Sequence, residues 1–219
     1  MIDHKTRKFR TQNVDMTISA VWAPPLDTPA VDALPELDTD GLRMVPVFRL
    51  MTEKHPEECI LNFWCDDYLF ERFWQTPGKY VEPLKRFRAV VQTDYSMYWD
   101  WPKALNIYNH WRNHTLARYW QDNGVTVIPS PGWTTKADYD WCFTGDPMNS
   151  VVAVSTIGVA RVPHNTRRFN AGYAEMVKRL KPSKVLLYGT DVRTEENKSA
   201  VETICFRSAD QERRAKDGS

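Results

Sequence analysis

Short apolar runs recur along the chain, and each stops at a group of small or polar residues. They fall at 44–48, 59–64, Ala89–Val91, 125–128, 150–154, Lys184–Tyr188 and 201–206. Unbroken apolar character over so few residues suits strands covered on both faces. Stretches with helical spacing lie between them. In 68–87, Phe70, Phe73 and Trp74 fall at helical intervals, Pro77-Gly78 interrupts, and a second helical turn follows over 81–87. Further helices are predicted over 103–123, 134–141 and 169–180, with Thr134 or Thr135 capping the 134–141 segment. Polar loops are expected at 161–168 and 193–198, and a weak alternation at 16–22 suggests an edge strand.

The segment 88–133 shows the pattern best. An apolar run ends in Gln92-Thr93-Asp94-Tyr95-Ser96, a long helix follows, and Gly124 stops it. A second run then ends in Pro129-Ser130-Pro131-Gly132-Trp133. Glycine suits the left-handed conformation of a helix stop. Two buried strands bridged by a helix must be parallel. Polar residues just past parallel strands share one face, so Asp94 and Trp133 are expected as neighbours.

The repeated β-α order predicts an α/β fold with a mainly parallel sheet. A small or incomplete (β/α) barrel fits five or six strands that each end in polar residues. A doubly wound open sheet is the alternative. Residues 1–40 are expected to form an N-terminal extension and a wrapping loop, because Pro24, Pro25, Pro29 and Pro35 forbid a regular helix there. Residues 41–207 form the α/β domain, and 208–219 a disordered tail.

Composition narrows the function classes. With 29 basic against 28 acidic residues, the net charge of +1 gives no general attraction to nucleic acid or membrane. The terminus carries Lys5, Arg7, Lys8 and Arg10, read first as a solvated stretch and second as a nucleic-acid arm. Four scattered cysteines form no CxxC pair, so free thiols and no zinc site are expected. No signal peptide or bilayer-length apolar run is evident, which suggests a cytoplasmic protein without a membrane partner. GxGxxG and GxxxxGK[ST] are lacking, and Ser130 lacks the GxSxG context. Nothing in the sequence fixes a cofactor.

Candidate chemistry gathers at the strand ends. Asp66, Asp67 and Asp94 end two successive runs, and paired carboxylates can push their pKa values apart to supply an acid and a base. One of Asp66 and Asp67 is assigned to helix capping, the other to the site. Tyr95 and Trp133, with Tyr98, Trp99 and Trp101 nearby, offer surfaces for a flat ring. Asn109 and Arg112 share a helix face, and Arg112 suits either an internal carboxylate or a ligand anion. The helix's buried stripe is read as Leu105, Tyr108, Trp111 and Leu116. His110 and His114 are read as solvated. Ser155, Thr156 and Gly158 form a small turn suited to an anion, strengthened by Arg161, Arg167 and Arg168.

Asp67-Tyr68-x-Phe70-Glu71-Arg72-x-Trp74, Thr93-Asp94-Tyr95-Ser96, Asn109-x-x-Arg112, Val127-Ile128-Pro129-x-x-x-Trp133, Val154-Ser155-Thr156-x-Gly158 and Tyr188-Gly189 occur in order. Together, over 44–190, they resemble the bacterial and phage family catalogued as domain of unknown function (DUF) 4417. The resemblance implies a protein of phages, plasmids and related mobile elements, and implies no particular reaction. A looser likeness of layout, from Ser155 to Gly189, links the chain to the transglycosylase barrels that exchange guanine for deazaguanine. Those enzymes use strand-end aspartates, but this chain is shorter and lacks their zinc ligands. The expected function is an enzyme acting on a nucleotide, nucleobase or glycosidic bond, with a small-molecule nucleotide or nucleic acid as partner. The alternative is an accessory protein that binds nucleic acid or a host protein.

Overall fold

The structure, a computed structural model, describes residues 12–17 and 20–217. The basic segment 1–11 lies outside the described residues, as do two positions of the proposed 16–22 edge strand. What is described there is a 3-10 turn, Val14–Thr17, and a two-residue strand β1 (Trp22–Ala23) paired antiparallel with β2 (Thr28–Pro29).

The seven apolar runs are all strands: β3 (Arg43–Pro46), β4 (Cys59–Asn62), β5 (Ala89–Val91), β6 (Val127–Ile128), β7 (Val151–Ser155), β8 (Lys184–Tyr188) and β9 (Thr203–Phe206). They run parallel in the order β3-β4-β5-β6 and β7-β8-β9. The Ala153 amide donates to the Pro129 carbonyl at 2.9 Å, joining the end of β6 to β7. Strand order thus follows chain order, without the reversal that marks a doubly wound sheet. The array curls but does not close. No ladder joins β3 to β9 among the described residues, so the fold is an open α/β sheet of incomplete-barrel form.

The alternation of side chains explains the curl. Met44, Ile60, Ala89, Val91, Ile128, Ala153, Leu186 and Phe206 point to one shared interior cluster. Trp64 stacks on Tyr188 across it, with ring centroids 5.2 Å apart. The opposite faces of β3–β6 pack under α1 (Glu71–Gln75), α2 (Val81–Lys85) and α3 (Lys103–Asp122). Those of β7 and β8 pack under α4 (Pro163–Leu180). Two short helices complete the chain, α5 (Glu195–Ser199) and α6 (Ala209–Asp217).

Several local expectations are corrected. Where a disordered tail was expected, α6 forms, anchored through the Ala209 amide, which donates to Tyr188 Oη at 3.0 Å. α4 starts within the expected 161–168 loop, because Pro163 fits the first helical turn, where no backbone N–H is needed. α5 begins within the expected 193–198 loop, capped by Thr194. Only a 3-10 turn, Lys136–Asp138, forms in 134–141. Thr134 and Thr135 donate their hydroxyls to the Asp138 carboxylate instead of capping the turn.

The proline-punctuated segment crosses α3, where Asp32 meets Arg118 at 2.8 Å and Gln121 bonds the Asp32 backbone. It then reaches the start of β7, where the Val151 amide donates to the Leu34 carbonyl. Gly124 has φ +81°, and its amide closes the end of α3, as expected of a glycine stop.

Candidate functional site at the carboxyl ends of the strands

A cleft of about 480 Å³ opens at the carboxyl ends of β4 to β7. The segment after β4 contributes Trp64, Cys65 and Asp66, and that after β5 contributes Asp94, Ser96 and Trp99. The segment after β6 gives Ser130 to Thr134, that after β7 gives Ser155 and Gly158, and α4 adds Arg168 and Phe169. Its size suits a small molecule, and its position is where parallel α/β sheets hold ligands. A second hollow, of about 400 Å³, lies at the opposite ends over Asp38, Asp40, Glu57 and Glu58. Among the described residues, the one trio of ionisable side chains at metal-ligand spacing is also there, the exposed His55, Glu57 and Glu58. No aromatic side chain lines that hollow, and an exposed acidic turn is ordinarily just solvated.

Asp94 is the distinctive group of the cleft. It is half-buried, and no protein donor meets its carboxylate among the described residues. Burial, and after it the nearby charge of Asp67, push its pKa up to about 7. Cys65, in the same wall, is pushed up to about 11 by burial and by Asp66, Asp67 and Asp94. It therefore remains a thiol at neutral pH and is a poor nucleophile.

The other predicted carboxylates have separate roles. Asp67 accepts from the Ser96 amide at 3.1 Å and from the Ser96 hydroxyl at 2.9 Å, tying the β4 loop to the β5 loop. Asp66 lines the cleft and is exposed. Neither side chain caps the turn that follows, which corrects the capping assignment.

Tyr95 is not a cleft residue. It is fully buried on the helix side, its ring 4.8 Å from Phe70 and its face 3.5 Å from the Arg112 guanidinium. No turn is assigned over 92–98, and adjacent residues of an extended segment point to opposite sides, so Asp94 and Tyr95 serve opposite layers. Arg112 is likewise internal. It donates to Glu71 at 2.5 Å, tying α3 to α1, and does not face the cleft. Asn109 donates to the Ser96 carbonyl at 2.7 Å. Asn113 and Asn106 do the same on either side, Asn113 bonding both backbone groups of Tyr95 and Asn106 both of Tyr98. Three asparagines on one face of α3 thus hold the loop that carries Asp94 and Trp99. The sequence displays these asparagines but not their common target.

That buried polar face takes the place of half the expected stripe, while Leu116 is buried and Trp111 packs against the core as expected. Leu105 and Tyr108 are exposed, whereas His110 and His114 are buried. His114 Nε2 lies 3.2 Å from the Asp146 carboxylate, and His110 Nε2 lies 3.0 Å from the Thr144 carbonyl. The expectation of solvated histidines is therefore wrong. The helix packs on loop backbone, and loop backbone needs polar partners.

Trp133 lines the cleft and wedges beneath α4. A Cβ on Gly172 would fall 2.1 Å from its ring, so only glycine allows the approach. Ser155 and Gly158 also line the cleft, Gly158 at φ +76°. Thr156 is buried, its hydroxyl donating to the Thr190 carbonyl at 2.9 Å, and it holds the β7 turn to the β8 turn. Of the predicted residues, the cleft brings together Asp94, Asp66, Trp133, Ser155 and Gly158. It excludes Tyr95, Arg112, Asn109 and Thr156, and Asp67 stands behind Ser96.

A family model matches residues 28–207. The chain belongs to the family Domain of unknown function (DUF4417). The match extends beyond 44–190 at both sides and takes in the segment that crosses α3. The chain is 36% identical over 129 residues to the Gene 1 protein of Mycobacterium phage L5, covering 59% of this chain and 56% of that protein. It is 33% identical over 129 residues to the Gene 1 protein of Mycobacterium phage D29, covering 59% and 48%. The chain thus spans about half the length of these phage relatives. No solved structure matches it. No helix among the described residues is long and apolar enough to cross a membrane.

Proposed function

We propose that the protein is an enzyme that acts on a nucleotide or nucleobase, with Asp94 as its proton-transfer group. One observation carries the reading. A half-buried carboxyl that meets no donor among the described residues, its pKa pushed up to about 7, stands in a cleft at the carboxyl ends of four parallel strands. A general base works best with a pKa near the working pH. A structural carboxylate would instead be expected to have found a donor, as Asp67 and Asp191 have. The aromatic lining supports a flat ring as the bound group, since Trp64, Tyr98, Trp99 and Trp133 all face the cleft. In this reading Asp94 takes a proton from an attacking water or hydroxyl at the ring or at its glycosidic carbon. Asp66, the other carboxylate of the lining, is the candidate second polar contact to the ligand.

The test is incubation of the protein with nucleotides, nucleosides and free bases, read by mass spectrometry, beside Asp94→Asn. Conversion by the wild type, absent in a folded Asp94→Asn, supports the reading. Equal conversion by both proteins, or none by either, overturns it and leaves the accessory-protein alternative. That alternative is tested by salt-dependent DNA binding with and without residues 1–12.

A further inference from the structure

We infer that Arg168 forms an anion subsite in this cleft, one that takes the phosphoryl group of the ligand. The inference rests on the reading above that the cleft binds a ring-bearing ligand, and it adds the ligand's charged end.

Arg168 lies in the second turn of α4 and lines the cleft. One terminal nitrogen of its guanidinium, Nη1, is shielded from solvent and has no hydrogen-bond acceptor. The other sheltered arginines each meet a carboxylate. Arg112 meets Glu71 at 2.5 Å, Arg118 meets Asp122 at 2.6 Å, and Arg193 meets Asp191 at 2.9 Å. No described carboxylate pairs with Arg168, and its guanidinium instead rests 4.1 Å from the ring centre of the half-exposed Trp99. A sheltered donor without an acceptor is costly and uncommon in folded proteins. A planar guanidinium fork matches phosphate through two parallel hydrogen bonds, which a stacked aromatic ring cannot supply.

The surroundings suit an anion. Ser155 and Gly158 line the same cleft, and nothing stands within 4 Å of where a Gly158 Cβ would lie, so its backbone can be approached closely. Asn165, one turn before Arg168, donates to the Gly158 carbonyl at 3.3 Å and holds that turn to α4. The acidic members of the lining, Asp66 and Asp94, come from the β4 and β5 loops, and Arg168 comes from the helix after β7. The cleft therefore carries both signs of charge. A ligand with a phosphoryl group for Arg168 and reacting atoms for Asp94 satisfies both. That phosphoryl group belongs either to a free nucleotide or to a phosphodiester in a strand.

The test is a tryptophan-fluorescence titration of the full chain. The probes are nucleoside 5′-monophosphates, the matching nucleosides, inorganic phosphate and a single-stranded hexanucleotide. The monophosphates are expected to bind about tenfold or more tightly than the nucleosides, the scale of a charge-assisted fork. Arg168→Gln removes that preference and Arg168→Lys restores part of it. Asp94→Asn retains it, because the preference rests on a cation and Asp94 supplies none. A hexanucleotide that binds more tightly than the monophosphates, and loses its advantage in Arg168→Gln, identifies the strand as the source. Equal affinity for nucleoside and monophosphate, a preference that survives Arg168→Gln, or no response to any probe overturns the subsite. Conversion of nucleosides without phosphate preference removes the subsite and leaves the role of Asp94 intact.

Discussion

At Asp94, burial and the charge of Asp67 act in one direction, and no hydrogen bond opposes them. If the carboxylate is the base, kcat/KM rises with pH through about 7 and then levels. A rate that falls over that range would make Asp94 an acid. The shift also has a stability consequence. The folded pKa is raised above the unfolded value of about 3.9, so the folded state holds the proton between those two pH values. Stability then falls as pH rises through that window. Asp94→Asn removes the effect and should be more stable than the wild type at pH 8 by about one to a few kcal/mol, while matching it near pH 4. Denaturant titrations at both pH values check this. Lower stability of Asp94→Asn at pH 8 would make the carboxylate structural. Asp94 was legible because polar residues past a buried strand fall on the ligand face. Tyr95 was not, because an extended segment sends neighbouring residues to opposite layers, and the crowd of aromatics around it suggested one common surface. Arg112 does meet an internal carboxylate, one of its two readings, but the partner Glu71 is 41 positions away in sequence and no spacing rule names it.

α3 does more than cover the sheet. Its asparagines satisfy the backbone of 95–98, where the cleft loop leaves β5 without a ladder. Asn113→Ala leaves both backbone groups of Tyr95 without their side-chain partner inside the core. A loss of about 1–3 kcal/mol is expected, with faster amide exchange at 95–98. Unchanged exchange would show that the loop holds itself. At the other wall, Gly172→Ala drives a methyl into the Trp133 ring. That change should cost about 1–3 kcal/mol and shift tryptophan emission. Wild-type stability with unchanged emission would contradict the close approach. The position and length of α3 were legible from its apolar residues and glycine stop. Its buried face was not, because hydrophobic spacing assumes an apolar neighbour and this helix meets backbone.

Over the whole molecule, seven short parallel strands curl around one interior and present their carboxyl ends together. That arrangement followed from the order of apolar runs. An array that does not close was among its readings, but the choice between an incomplete barrel and a doubly wound sheet was not legible, because periodicity does not show which strands are neighbours. The layer outside β5 carries a second pH dependence. Burial, and then the neighbouring His114, hold the His110 pKa well below its usual value. The unfolded chain therefore binds a proton below about pH 6.5 that the folded chain refuses, and stability falls as pH drops from there. His110→Gln can still donate to the Thr144 carbonyl and should flatten that acid limb relative to the wild type. Parallel limbs would contradict a buried neutral His110.

The most direct measurement is a carbon-13 NMR titration of the aspartate carboxyls in the wild type and in Asp94→Asn. It requires no knowledge of the substrate. One carboxyl resonance that titrates near pH 7 and is missing from the variant is the predicted result. If the resonance missing from the variant titrates below about pH 5, within the ordinary carboxylate range, the account is contradicted. Asp94 would then be an ordinary solvated carboxylate, and the cleft would lose its proton-transfer group.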